Sequence, residues 1–371
     1  LEVKKKVKQL SLEEFFLPLK INAELTLKNR FVMAPMTRNL TPEAIPDEEL
    51  VEYFASRARG GVGLIITEPI AVSHPSANKD GFSPDFATEE KIQGWKAVVR
   101  AVHIEGAKIF AQIWHMGCDR DATKAPNPEI RSVSPSKSGE DNYATVEEIQ
   151  EIIDAFGETA KIVKEIGFDG VEIHGAHGYL IDEFLWDKTN YRTDNFGGSI
   201  KNRVRFAKEI VEIVRKAVGS DFPIGFRISQ WKVQDFSAKL AKNPDELKQI
   251  VTPLSEAGVD MFHCSTRRFW ENEFEGSPLN LAGWVKMMTG KTTITVGSVG
   301  LTSMFTESLL SGKGADITSL SKLESKFRDG EFDLVALGRS LIANPDWVNK
   351  VQENNLGDLQ SFDAEMLKYL K

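Results

Sequence analysis

The sequence predicts a single (β/α)8 TIM barrel, and three features of the chain lead there. Eight short β-branched or apolar runs alternate with longer amphipathic segments, the pattern of a parallel sheet covered by helices. Polar side chains gather at the C-terminal ends of those runs, where parallel barrels carry their chemistry. The first run passes into PMTRNLTPEA without a Gly-rich turn, which argues against a doubly wound dinucleotide-binding sheet.

The predicted strands are Phe31 to Pro35, Val62 to Glu68, Lys108 to Trp114, Gly170 to His174, Pro223 to Ser229, Val259 to Ser265, Thr292 to Ser298 and Phe332 to Gly338. Helical periodicity fills Asp47 to Arg59, Glu89 to Ile104, Val146 to Ile166, Lys201 to Val218 and Pro244 to Ala257. Thr145 ahead of Val146-Glu147-Glu148 reads as a capping box. A long excursion from His115 to Ala144 follows the third strand, and its Pro, Ser and Asp content marks a loop on the active face. No tandem repeat or low-complexity linker divides the chain, so residues 1 to 371 are expected to form one unit.

Composition narrows the function. With 41% hydrophobic and 27% charged residues, a large core is available without disulfides. A net charge of -8 and a pI near 5.5 disfavour nucleic acid or an anionic membrane as the main partner. The dense basic run Lys4, Lys5, Lys6 and Lys8 reads as a solvated tail. Cys118 and Cys264 are too few for a disulfide framework or an iron-sulfur cluster, and no apolar run suits a membrane span or a secretory leader. A cytoplasmic location is expected.

At the strand ends, period-two alternation puts Gln112 and Trp114 on one face of the third strand, and Glu172 and His174 on one face of the fourth. HGAHGYL, His174 to Leu180, breaks a strand through glycines into a helix and presents two imidazoles and a phenol within six residues. A single strand-end histidine is usually structural; this cluster points to chemistry, with zinc ligation by His174 and His177 as the rival. Arg227, between Phe226 and Ile228, needs an anion if buried, supplied by a structural carboxylate or by a ligand. Gly297-Ser298 and Gly338-Arg339 close the last two strands, where many barrels hold a phosphate.

These residues together resemble the old yellow enzyme family of NADH:flavin oxidoreductases. The similarity runs from PLKINAELTLKNRFVMAPMTR to VALGRSLIANPDW, and GFDGVEIHGAHGYLIDEFLWDKTNYRTDNFGGSIKNRVRF carries the family signature nearly unbroken. Two segments, Thr266 to Leu279 and Leu301 to Phe332, depart from it. The resemblance implies bound FMN, with Pro35, Met36 and Thr37 against the ring, Gln112 on its pyrimidine edge and Arg227 on the N1/O2 side. Gly297, Ser298, Gly338 and Arg339 would hold the phosphate. His174 and His177 match the pair that donates to a substrate oxygen, and Tyr179 matches the proton donor. Trp114 matches an aromatic of the pocket wall, though core packing would also explain it.

By the same resemblance the partners are NADPH or NADH as electron donor and small electrophilic alkenes or quinones as acceptors, reduced by a ping-pong mechanism. One position departs: Glu68-Pro69 stands where the family has a small residue whose N–H reaches the flavin, and proline has none. Thr37 is the nearby group to compensate. The rivals are a barrel metallohydrolase using His174 and His177, and a non-catalytic flavin-binding protein. Arg268, Phe269 and Trp270, in the loop after strand six, are candidates to enter the pocket.

Overall fold

The computed structural model describes residues 12–78, 83–125, 127–136, 143–304, 307, 312 and 314–371; the early lysine run and parts of both the excursion and the 301–332 segment lie outside them. A short antiparallel hairpin, β1 (Leu19–Lys20) and β2 (Thr26–Leu27), precedes eight parallel strands. These are β3 (Phe31–Met33), β4 (Leu64–Ala71), β5 (Lys108–Trp114), β6 (Gly170–His174), β7 (Ile224–Ser229), β8 (Met261–Ser265), β9 (Thr292–Val296) and β10 (Leu334–Leu337). They pair in chain order, and β10 closes on β3, giving the expected barrel.

The helices α1 (Glu48–Arg59), α2 (Glu89–Ile104), α3 (Val146–Ile166), α4 (Leu180–Leu185), α5 (Ile200–Val218), α6 (Pro244–Ala257) and α7 (Leu281–Thr289) cross over between strands. Their starts are written locally. Asp47 caps α1 and Asn243 caps α6, each accepting a backbone N–H of the first turn. The Thr145 and Glu148 capping box opens α3, and Gly167, with φ 105°, ends it. The stripe Val204, Ala207, Val211, Val214 and Val218 buries one face of α5.

Inside the barrel, Val32, Leu64, Ile66, Phe110, Met261, Ile294 and Leu334 form an apolar lower layer, sealed from below by Leu25 and Leu27 of the hairpin. Above it the inward positions turn polar: Gln112, Glu172, Arg227 and His263 are all buried. The apolar stopper and the polar layer follow from the same two-residue period, read one step higher along each strand.

One strand departs from expectation. β4 runs on through Pro69 to Ala71, with a register shift between Ile66 and Pro69. At this bulge the Thr67 hydroxyl, in place of a backbone carbonyl, accepts the Gln112 N–H at 3.1 Å. Pro69 is tolerated because the ladder is already interrupted there. The described part of the excursion is tied down by arginines: Arg120 donates to the carbonyls of Asn78 and Ile130, and Arg192 to those of Pro135 and Ala144.

Candidate active site

The C-terminal mouth of the barrel holds a cavity of about 510 Å³. Pro35, Met36, Thr37, Gln112, His174, His177, Tyr179, Arg227, Gly297, Ser298, Gly338 and Arg339 all line it, so residues from six separate stretches of chain converge as the sequence predicts. Trp114 does not border the cavity. Its ring packs edge-on against Tyr179, centroids 4.7 Å apart, and so backs the phenol from behind. The loop after strand six also differs: Arg267 lines the cavity, whereas Phe269 is buried, Trp270 packs on it and Arg268 pairs with Glu271. Phe269 is drawn inward because its N–H donates to Gly297 and its carbonyl accepts from Asn280.

His174 ends β6, and the chain then turns sharply. His177 has φ 68° and Gly178 φ 87°, two successive left-handed residues. A non-glycine in that region costs on the order of 1–3 kcal/mol and persists when its surroundings over-determine it. They do here. The His177 N–H donates to Ser229 Oγ at 2.9 Å, and its carbonyl accepts from Val233 at 3.0 Å. The Gly178 N–H donates to Asp182 Oδ2 at 2.7 Å, and Asp182 in turn pairs with Lys232 at 2.7 Å, both side chains almost fully buried. Tyr179 then precedes the first turn of α4.

The resulting cluster is tight. The His174 ring lies 5.1 Å from that of His177 and 5.0 Å from that of Tyr179, both nearly perpendicular. Burial holds both imidazoles well below the usual histidine range, and the nearby Arg227 charge acts in the same direction, so both are neutral at pH 7. The Ala176 N–H donates to His174 Nδ1 at 3.3 Å, which leaves the single proton of His174 on Nε2. Burial, reinforced by Asp119 and opposed by Arg227, pushes the Tyr179 phenol up to about 12, so it keeps its proton.

Beneath them, Glu172 accepts from Gln112 Nε2 at 2.7 Å and from His263 Nδ1 at 2.8 Å. Burial works to raise the Glu172 pKa, but His263, Arg227 and Gln112 outweigh it and hold the group below the ordinary value, as a carboxylate. With its Nε2–H committed to Glu172, the Gln112 amide has its Oε1 buried without a partner; Arg227 Nε is likewise unpartnered. Among the described residues no carboxylate lies within ion-pairing distance of Arg227, and burial lowers its pKa only to about 10, so it stays charged. An acceptor and a cationic donor at the foot of the cavity fit the pyrimidine edge of a flavin, which offers N3–H to the first and N1/O2 to the second.

At the other end, Gly297 has φ 139°, and a Cβ there would lie 2.6 Å from the Thr266 carbonyl, so only glycine admits this close approach. Ser298 follows with φ 53°. Arg339 leans over Phe362 and donates to the Ser303 carbonyl at 2.6 Å. On the remaining wall, the Glu68 carboxylate accepts the Arg38 N–H at 2.9 Å and thereby fixes the segment carrying Met36 and Thr37; Pro69 beside it lines the cavity. Sequence reasoning missed Ser265 and Trp231, which also line the cavity, and the Asp182–Lys232 pair beneath it. Alternation along MFHCS, with Met261 inward, would have put His263 and Ser265 on the same face.

Among the described residues no three His, Cys, Asp or Glu side chains are grouped to hold a metal ion, and no helix is long and apolar enough to cross a membrane. The chain matches the NADH:flavin oxidoreductase / NADH oxidase family over residues 14–357. An NADH oxidase of Thermoanaerobacter brockii is 35% identical over 91% of this chain, which spans about half of that protein's length (50%). 12-Oxophytodienoate reductase 1 of Oryza sativa subsp. japonica is 33% identical over 87% of this chain and 82% of its own. Among solved structures, morphinone reductase in complex with tetrahydroNAD superposes with a TM-score of 0.78 at 27% identity, covering 95% of this chain and 93% of that one. The old yellow enzyme homologue from Zymomonas mobilis gives 0.78 at 26%, covering 96% and 99%. The closed barrel and these likenesses establish the chain as a member of the NADH:flavin oxidoreductase / NADH oxidase family, an old yellow enzyme-type oxidoreductase that uses FMN and NAD(P)H.

Proposed function

We propose that this enzyme reduces activated carbon-carbon double bonds, in enones and nitroalkenes, and quinones, with electrons from NADPH or NADH. The observation that carries the reading is the cluster itself: two neutral imidazoles and a protonated phenol, their rings within 5.1 Å of the His174 ring, on one wall of the cavity. The relatives named for reduction of 12-oxophytodienoate and morphinone support it.

Bound FMN supplies hydride exchange with the nicotinamide and the alkene. Pro35, Met36 and Thr37 would line its ring site, the unpartnered Gln112 Oε1 would accept from its pyrimidine edge, and Arg227 would lay a fixed positive charge where negative charge gathers on reduction. His174 and His177 donate to the carbonyl or nitro oxygen, which becomes more negative as the β-carbon is reduced. Tyr179 gives its proton to the α-carbon, and its high pKa keeps it in the acid form until that carbon becomes basic. Both ligands use one cavity, so oxidised nicotinamide leaves before the alkene enters and the kinetics are ping-pong.

Anaerobic addition of NADPH or NADH to the purified yellow protein is expected to bleach the flavin, and 2-cyclohexenone to restore it; phenol is expected to bind at the histidines and add a long-wavelength band. Failure of every enone, nitroalkene and quinone in a panel to reoxidise the reduced protein would overturn the reading. At the phosphate end, Gly297, Ser298, Gly338 and Arg339 are the proposed cradle. Arg339→Ala is expected to weaken FMN retention about 10- to 100-fold, the loss of a charge-assisted contact. Equilibrium dialysis with FMN and with riboflavin measures it. Riboflavin affinity should stay near wild type, and equal losses for both ligands would move Arg339 away from the phosphate.

A further inference from the structure

Ser265, the last residue of β8, is 3% exposed and sits at the centre of contacts that the roles above leave unused. Its Oγ lies 2.8 Å from His177 Nε2 and 3.4 Å from Arg227 Nη2. Its carbonyl accepts from Trp231 Nε1 at 3.2 Å, and the Trp231 ring stacks on the His177 imidazole with centroids 4.3 Å apart and planes at 28°. One serine therefore holds both the edge of this imidazole and the ring covering its face.

Counting protons gives the direction of each bond. Arg227 has no acceptor, so Ser265 Oγ accepts from it. The hydroxyl carries one proton of its own, and among the described residues His177 Nε2 is the acceptor within reach of it. Were Nε2 protonated instead, two donors would meet on one oxygen and the hydroxyl proton would have no acceptor among the described residues, the arrangement that native structures avoid. Nε2 is thus a bare acceptor. Because burial and the charges of Arg227 and Lys232 keep His177 neutral, its one proton sits on Nδ1. The hydrogen bonds of His177 among the described residues use its backbone and Nε2, which leaves Nδ1 without one, and His177 borders the cavity.

We infer that Ser265 is a positioning residue that selects the Nδ1–H tautomer of His177 and so makes it a donor to the substrate oxygen. This rests on the ene-reductase reading and deepens it. His174 receives its tautomer from a main-chain N–H, fixed by the fold; His177 receives it from a side chain. The chain Arg227 to Ser265 to His177 then points three donors in one direction, from the flavin's proposed anionic edge to the substrate's proposed oxygen, and each bond polarises the next. The pair accordingly selects ligands that present a bare acceptor oxygen, whether carbonyl, nitro or phenolate, and disfavours those that present only N–H or O–H donors.

The test uses FMN-loaded protein labelled with 15N-histidine, in which nitrogen shifts separate protonated from bare imidazole nitrogens; His177→Asn identifies the His177 signals. In wild type, Nδ1 is expected to be protonated and Nε2 bare. In Ser265→Ala, with the hydroxyl gone, the Nε2–H form should appear, and p-chlorophenol should bind about 5- to 10-fold more weakly, the scale of one hydrogen bond. Ser265→Thr, which keeps the hydroxyl, should restore both. A protonated Nε2 in wild type overturns the proposal without any variant. So does an unchanged tautomer in Ser265→Ala, whatever the affinity, since that outcome assigns the serine to packing. If wild type shows the Nδ1–H form but reduces no enone, the tautomer assignment stands and the ene-reductase reading falls.

Discussion

Tyr179→Phe is expected to slow reoxidation of the reduced enzyme by 2-cyclohexenone about 10²- to 10⁴-fold, the usual contribution of a positioned general acid. The substitution keeps the ring that packs edge-on against Trp114 and His174 and removes the hydroxyl alone. Hydride uptake from NAD(P)H needs no proton from this group, so the reductive half-reaction should stay within about threefold of wild type, well inside the range a general acid commands. Quinones accept electrons without protonation at carbon and serve as the internal control. Stopped-flow absorbance follows both half-reactions in one preparation. Enone reoxidation at the wild-type rate, or an equal loss with quinones, would return Tyr179 to a packing role.

The second large effect is on stability. Lys232 and Asp182 are 1% and 0% exposed and 2.7 Å apart, and removing one partner leaves the other charge buried and uncompensated. Lys232→Ala is expected to cost about 3–5 kcal/mol. The carboxylate also holds the Gly178 N–H, so the left-handed turn that presents His177 and Tyr179 should loosen at the same time. Urea unfolding measures the first consequence, and p-chlorophenol affinity the second. The double variant Lys232→Met with Asp182→Asn, which removes both charges, should recover most of the stability because a buried pair is worth little against neutral groups of similar volume. A loss below about 1 kcal/mol in Lys232→Ala, within the range of an exposed ion pair, would mean that water reaches Asp182.

Those two residues show where sequence reasoning stops. The barrel was legible because each strand carries its own apolar run and α3 its own capping box, and HGAHGYL announces a polar wall of the cavity because three polar rings fall within six residues. Three side-chain pairs that the sequence did not reveal join residues far apart along the chain. Asp182 meets Lys232 across 50 positions, His177 meets Ser265 across 88, and Glu172 meets His263 across 91. No local spacing encodes such pairs; they appear only when neighbouring strands are placed in register, as His174 with Arg227 and Arg227 with His263. Trp114 illustrates the other gap. Alternation gives the side of a strand on which a residue lies but not its depth, and Trp114 packs edge-on against Tyr179, which lines the cavity where Trp114 does not. The short hairpin β1–β2 left no signal because two-residue strands have no period to read.

That hairpin has a kinetic meaning. Leu25 and Leu27 cork the barrel beneath the polar layer, which turns the reaction chamber into a cul-de-sac entered and left by the same door. On the proposed ping-pong reading, nicotinamide and alkene would queue for one berth, and whichever arrived out of turn would obstruct the other. Either substrate in excess should act as a competitive inhibitor of its counterpart, so turnover plotted against each should rise, peak and fall, with the peak moving to higher concentration as the other substrate is raised.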